Sequence, residues 1–412
     1  MKNQKSFAIH TLGCKLNFSE SSDISRQLTE QGFVLSEQPD YILVNTCAVT
    51  GAAEKKARNL VSKLHRQHPN AEIIIFGCYS ALSPDIIAQW QGVKAVLGSA
   101  DKMNIIPYMT EEVLPQAPHF FSSYSSHDRT RSFLKIQDGC DYHCTYCTVA
   151  TARGESRSDH IDHVLQNIET IHKENIKEII LTGVNLGDFG RKNDSSFLQL
   201  LQAIEQQALI ERIRISSIEP NLLTSEIIAL AAQSERVMPH FHIPLQSGSD
   251  RILALMKRRY NRQLFASKIE EIKKYMPEAC VAVDIIAGFP GETNEDFQDT
   301  YDFLNSLPIS YLHVFTYSKR PGTPAAAMTD QISPPLKKER TSQLLNLSDR
   351  KKEQFYKEHS GEQRPVLIES DIKNGWLYGF SDNYIKVKVP FNASLINTIT
   401  PVQINKDTIE PE

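Results

Sequence analysis

Along the first hundred residues, short apolar runs alternate with amphipathic stretches. The runs at 7–11, 41–46, 72–77 and 94–97 read as strands, and ESSDISRQLTEQ and EKKARNLVSKLHRQH between them carry apolar residues at helical spacing. Such repetition predicts an α/β unit with a parallel sheet. A polar stretch, PQAPHFFSSYSSHDRT, then separates this unit from a second alternation with strands expected at 133–137, 178–182, 212–216, 240–244, 281–287 and 311–316. Helical patterns such as HVLQNIETIHKE, SFLQLLQAIEQQA and EDFQDTYDFLNSL fall between them, and six β/α units in succession predict a parallel barrel or part of one. After a long helix ending near His359, the pattern changes to short alternating segments, PVLIES, GWLYGF, YIKVKV and TPVQIN, which read as a small antiparallel barrel too short to hold a full core alone. The boundaries expected are 1–115, a linker at 116–130, 131–358, and 359–412.

Composition narrows the class. The 412 residues are 41% hydrophobic, the mean hydropathy is -0.34, and no run of apolar residues is long enough for a signal peptide core or a membrane span. A soluble cytoplasmic protein is expected. A net charge of -4 provides no global attraction to polyanions, so any nucleic-acid contact must come from local patches. Two basic groups qualify by sequence, Lys257 to Arg259, and Lys337, Lys338, Arg340, Arg350, Lys351 and Lys352; both read more simply as solvated helix faces.

Cysteine placement carries the chemistry. Cys140, Cys144 and Cys147 form C-x3-C-x2-C in QDGCDYHCTYCTVA, just past the first barrel strand, where such a fold builds active-site loops. Three thiolates can hold three irons of a cubane cluster and leave the fourth open to chelate a small molecule. Cys14, Cys47 and Cys78 each lie just beyond one of the first three strands, so a parallel sheet would bring them to one edge as a second three-thiolate site. The competing reading is three small buried hydrophobes. Cys280 has no cysteine nearby and reads as a buried thiol, and His240 and His242, alternating on one strand, as packing or polar contacts.

The C-x3-C-x2-C loop, with Tyr146 before its last cysteine, resembles the signature of the radical S-adenosylmethionine (SAM) enzymes. With GCKLN, NTCAV, GCYS and RGESRS, the whole chain resembles the methylthiotransferases of that superfamily. The family commonly has Ile-Pro where this chain has Val149-Ala150. The resemblance implies an α/β fold in three parts: an N-terminal Rossmann-like parallel sheet, a central radical-SAM partial (β/α)6 barrel and a small C-terminal TRAM-like antiparallel β-barrel that contacts RNA. It implies two 4Fe-4S clusters, a radical-generating one on Cys140, Cys144 and Cys147 and an auxiliary one on Cys14, Cys47 and Cys78 that carries the sulfur to be transferred. SAM would be cleaved to a 5'-deoxyadenosyl radical at the first cluster, and a second SAM would methylate the inserted sulfur.

By the same resemblance, Tyr146, Thr182, Gly183, Asn185, Ser216, Ser217, Glu219, Gln246, Ser247, Asp284, Gly288 and Phe289 are candidates for cofactor binding, and Arg153 and Arg157 for substrate carboxylate or phosphate. GCKLN resembles the branch that acts on tRNA carrying N6-threonylcarbamoyladenosine, adding methylthio at C2 of the adenine. Related branches act on prenylated adenosine or on an aspartate of a ribosomal protein. The implied partners are tRNA, SAM, an electron donor such as flavodoxin or ferredoxin, and a sulfur source. A non-catalytic iron-sulfur RNA-binding protein or cluster carrier would account for the cysteines but not for the glycine-rich strand ends.

Overall fold

The computed structural model describes residues 5–48, 50–99, 101–110, 120, 122–125 and 130–410. The N-terminal unit is a five-stranded sheet in the order Val34–Leu35, Ser6–Thr11, Tyr41–Thr46, Glu72–Gly77, Val93–Val96, and every pairing is parallel. Helix Gly51–Gln67, capped by the Thr50 hydroxyl accepting from Ala53 N–H, lays Ala57, Val61 and Leu64 on one face of this sheet. Helix Lys15–Glu30 begins five residues before the stretch that reads as helical. Its opening turns bury Asn17, Ser19 and Glu20, so no apolar period marks them.

The expected linker lies mostly outside the described residues. Its described part contains strand Ser123–Tyr124, paired antiparallel with Arg131–Lys135. From there six parallel strands form a partial barrel. Arg131–Lys135, Glu178–Thr182 and Arg212–Ile215 make one sheet; His240–Gln246, Cys280–Ala287 and Tyr311–Thr316 make the other. Bridges Ile213↔Val237 and Ser217↔His242 join them. Alternation divides each strand between two environments. Leu134, Ile179, Leu181, Ile213, Ile215, Phe241, Ile243, Val281, Val283 and Leu312 pack outward into the main core under the helices, while the intervening residues face the lumen.

The C-terminal unit is a four-stranded antiparallel sheet, ordered Lys386–Pro390, Trp376–Ser381, Gln363–Lys373, Ile399–Gln403. Its outer strands do not pair with each other among the described residues, so it is an open half-barrel. It shares its core with the central unit: Val366, Ile368, Leu377 and Ile385 pack with Phe355 of the long helix Pro334–Glu358 and with Cys280, a buried thiol as expected. This sheet covers the amino ends of the barrel strands. Arg212 donates to the carbonyls of Phe380 and Pro365, and Arg214 to those of Ser381 and Asp382. Arg131 Nε reaches Glu369 at 2.8 Å. No helix among the described residues is long and apolar enough to cross a membrane.

Arg214 is 1% exposed and also donates to Glu178 at 2.8 Å. Removing it leaves a buried carboxylate and two carbonyls without their donor. Arg214→Met should therefore cost about 3–5 kcal/mol, read as a lower denaturation midpoint. The C-terminal sheet should become protease-sensitive before the rest of the chain.

Candidate active site

Cys14, Cys47 and Cys78 follow three neighbouring parallel strands, which emerge at one edge because their register pairs Thr11 with Asn45 and Thr46 with Gly77. The glycines beside two of them are required by space as well as by conformation. At Gly13 (φ 122°) a Cβ would lie 2.9 Å from Cys47 Cβ, and at Gly77 (φ 105°) 2.5 Å from Asn45 Oδ1. Asn17 and Asn45 tie the loops together: Asn17 Nδ2 donates to the Leu12 and Thr46 carbonyls, and Asn45 Nδ2 to the Asn17 carbonyl. No disulfide joins any of the three among the described residues.

The second trio lies in the loop after strand Arg131–Lys135. Each sulfur faces an N–H donor: Tyr142 N–H for Cys140 at 3.3 Å, Val149 N–H for Cys147 at 3.4 Å and Arg258 Nη1 for Cys144 at 3.0 Å. Such donors suit thiolates bound to a cationic metal group. As free thiols, burial pushes Cys140 up to about 12 and Cys147 up to about 11. The trio opens on a cavity of about 290 Å³ at the carboxyl ends of the strands, with Tyr146, Asn185, Ser217, Glu219, Gln246 and Asp284 in its wall. Thr50 and Arg320 close it from the side of the N-terminal unit, where Arg320 pairs with Glu54. Asn185 is 3% exposed and its Nδ2 has no hydrogen-bond partner among the described residues, the signature of an acceptor still to come. Gln246 has φ 70°, a left-handed conformation for a non-glycine residue, which aims its backbone turn at the cavity.

Two arginines organise the sulfurs. Arg258 belongs to a sequence group that reads as solvent-facing, yet its side chain is 3% exposed. The short helix Asp250–Leu255 ends at Lys257 in a left-handed conformation (φ 57°), and this turn directs Arg258 inward to Cys144, Glu219 and the Tyr260 hydroxyl. Arg153, at the end of the five-residue helix Val149–Arg153 that follows Cys147, reaches the other trio. Its Nε lies 3.1 Å from Cys78 Sγ, Nη1 lies 3.1 Å from Glu20 and 2.9 Å from Asp138, and Nη2 lies 2.6 Å from Asn17 Oδ1. Lys102 and Lys135 complete the cluster, 2.5 and 2.8 Å from Glu20. Arg153 is therefore engaged on every side within the joint between the two units, and Arg157 is tied to the Arg153 carbonyl and Asp138. Neither lines the cavity.

Other expected residues stand behind the wall. Thr182, Gly183, Ser216, Ser247, Gly288 and Phe289 do not line the cavity. Phe289 packs edge-on against Tyr146 and Tyr317, and Gly288 (φ 75°) fits against Lys337, which a Cβ would meet at 2.5 Å. His242 Nε2 lies 2.6 Å from Asp284 Oδ1, with His313 beside it. Among the second basic group, Arg340 is buried on Glu292 and Asn294, and Lys351 is bound to two carbonyls. Sequence reading missed Gln137, whose side chain accepts from Val184 and Asn185 N–H and donates to the Asp138 and Gly139 carbonyls, clasping two loops of the site. Its position at the mouth of the cysteine loop was the available signal.

Residues 134–304 match the Radical SAM superfamily, and residues 6–98 match Uncharacterized protein family UPF0004. The chain is 36% identical to threonylcarbamoyladenosine tRNA methylthiotransferase MtaB of Bacillus subtilis, covering 97% of this chain and 93% of the relative. It is 32% identical to tRNA-2-methylthio-N(6)-dimethylallyladenosine synthase of Pelotomaculum thermopropionicum, covering 97% and 95%. The chain belongs to the radical SAM methylthiotransferase family. Among solved structures, the radical SAM methyltransferase TsrM of Kitasatospora setae shares the fold of this methylthiotransferase, with a TM-score of 0.61 at 12% identity over 79% of this chain and 75% of that one.

The charge cluster at the joint should make this methylthiotransferase acid-sensitive. Burial pushes the carboxyls of Glu20 and Asp138 up, but the surrounding Arg153, Lys102 and Lys135 override it and hold both below their ordinary values of 4.5 and 3.8. Groups with a depressed folded pKa lend stability above the unfolded value and lose it as the pH falls. Amide protection factors in helix Lys15–Glu30, corrected for the intrinsic exchange rate at each pH, should fall as the pH drops below about 4.5. A Glu20→Gln variant should show weaker acid dependence from a lower starting stability.

Proposed function

We propose that this chain is a tRNA-modifying enzyme that inserts sulfur at C2 of N6-threonylcarbamoyladenosine and methylates it, using SAM and two 4Fe-4S clusters. The observation that carries this reading is the pair of three-thiol sites separated by one short helix, with Arg153 reaching from one to the other. In this reading Cys140, Cys144 and Cys147 hold the radical-generating cluster, and Cys14, Cys47 and Cys78 hold the auxiliary one. Held by these three thiolates, a cluster would supply one-electron chemistry toward SAM at the first site and a seat for the transferred sulfur at the second.

The protein's own groups do the rest. Asn185, Ser217, Gln246 and Asp284 offer the polar atoms that orient the cofactor, and Tyr146, backed by Phe289 and packed beside Tyr317, forms the apolar wall that keeps water out. Arg258 neutralises charge at Cys144, with Glu219 fixing its direction. Thr182, Gly183, Ser216 and Gly288 shape the wall from behind, and Arg153 and Arg157 set the spacing of the two sites. The reaction takes place in the cytoplasm, with an electron donor such as flavodoxin or ferredoxin and a sulfur source as further partners.

The choice of base follows the relatives named as threonylcarbamoyladenosine enzymes, which are 32–36% identical. The dimethylallyladenosine relative at 32% identity supports the second reading. Mass spectrometry of tRNA nucleosides from a strain lacking the gene distinguishes them. Loss of the methylthio-threonylcarbamoyl nucleoside is expected, whereas loss of only the methylthio-dimethylallyl nucleoside would transfer the assignment to the second reading. Anaerobic reconstitution should load about eight irons per chain, and replacing Cys14, Cys47 and Cys78 together by alanine should leave about four.

A further inference from the structure

Where the N-terminal unit meets the last barrel strand, the cavity wall carries groups that cofactor binding leaves unused. Phe315, Thr316, Ser318 and Arg320 line it from strand Tyr311–Thr316 and the turn that follows, and Thr50 faces them from the start of helix Gly51–Gln67. Two contacts join these elements. Gly51 N–H donates to the Ser318 hydroxyl at 3.2 Å, and Arg320 Nη2 donates to Glu54.

Several properties of this corner suit an anion. Arg320 is 5% exposed, yet its Nε has no hydrogen-bond partner among the described residues, so a buried cation in the cavity wall keeps an unused donor. Helix Gly51–Gln67, 17 residues long, presents its amino terminus here, where backbone N–H groups and the macrodipole favour negative charge. Gly51 keeps the approach open. A Cβ there would come 3.8 Å from Ser318 Oγ and 4.0 Å from Arg320 Nη1, so the hydroxyl and the guanidinium flank the space that a side chain would otherwise take. Glu54 occupies Nη2 alone, and the exposed cations around it, Lys55, Lys56, Arg58 and Lys319, form no ion pair among the described residues. Phe315, 40% exposed, adds an aromatic face to the same wall. Cations beside an exposed ring are what a single-stranded nucleotide requires, its phosphate on the charges and a base on the ring.

We infer that Arg320, Ser318 and the amino terminus of helix Gly51–Gln67 seat a backbone phosphate flanking the base to be modified, with Phe315 as the platform for an adjoining base. This rests on the reading of RNA as the substrate and holds for either tRNA branch, since both present the same phosphodiester chain. A phosphate contact carries no base identity, so the seat fixes where the nucleotide lies and leaves the choice of base to the rest of the cavity. Arg320 is thus a positioning residue. Because the seat is made by both units, it exists only where their joint holds them together.

The test measures binding of the reconstituted full-length enzyme, without reductant, to stem-loop RNAs carrying threonylcarbamoyladenosine in the loop. Each phosphodiester close to that base is replaced in turn by a neutral methylphosphonate, and one further RNA carries the threonine carboxamide instead of the acid. Neutralising one linkage should weaken binding to the wild-type enzyme about 10-fold or more. Arg320→Gln should bind the unaltered RNA as weakly and lose nothing further at that linkage, and Arg320→Lys should recover part of the loss; iron content checks that each variant is loaded. Phe315→Ala should weaken binding of all the RNAs about 5-fold or more, and unchanged binding removes the platform. A flat scan with the wild-type enzyme, or an undiminished linkage effect in Arg320→Gln, overturns the seat. So does an Arg320→Gln loss shared with the carboxamide and not with a methylphosphonate, which would assign the anion to the arm of the modified base. In each of these cases the wild-type enzyme still methylthiolates the unaltered RNA. Methylthiolation of a ribosomal-protein aspartate and of no RNA overturns the RNA reading and the seat together.

Discussion

Everything at the site depends on one buried guanidinium. Arg153 sits at the joint of the N-terminal sheet and the barrel, donating at once to Glu20, Asp138, Asn17 and the sulfur of Cys78. Burying these charges is favourable only because they satisfy one another in a low-dielectric setting, and that mutual dependence makes the joint rigid. Arg153 stands six residues beyond Cys147 in the sequence. The same contact that joins two folded units therefore fixes the distance between the two cysteine trios. Chemistry shared between two sites requires such spacing to be held to a fraction of an ångström.

The three units cooperate in enclosing one space. The barrel is open between its first and last strands, and the N-terminal unit lies along the joint through helix Lys15–Glu30 and the Glu54–Arg320 pair. The C-terminal sheet seals the bottom through Arg212, Arg214 and Tyr384. A sheet of that size could not bury enough apolar surface alone, and it takes Phe355 and Cys280 into its own core. Its docking face is thereby also the floor of the lumen. Stability of the C-terminal unit and the shape of the site arise from the same interface.

Strand positions and the edge they share were legible because a buried parallel strand announces itself as an apolar run, as in EIIIFG and EIILT. Once the strands were in place, the positions of Cys14, Cys47 and Cys78 followed from topology. Helix Lys15–Glu30 was only half legible, since Asn17, Ser19 and Glu20 face a charged joint instead of a hydrophobic core. Arg258 gave no sign either: KRR is the composition of a solvated turn, and a left-handed Lys257 sends its middle residue inward.

By itself the sequence determined which segments become strands, which cysteines they carry to one edge, and the class of enzyme, because residue type and hydrophobic period are local properties. It did not determine what surrounds those ligands. Which charges meet at Glu20, which arginine reaches which sulfur, and how Arg153 is held at the joint depend on pairs such as Glu20 and Arg153, 133 positions apart. Only the packing of separate units brings such pairs together, and no local pattern records it.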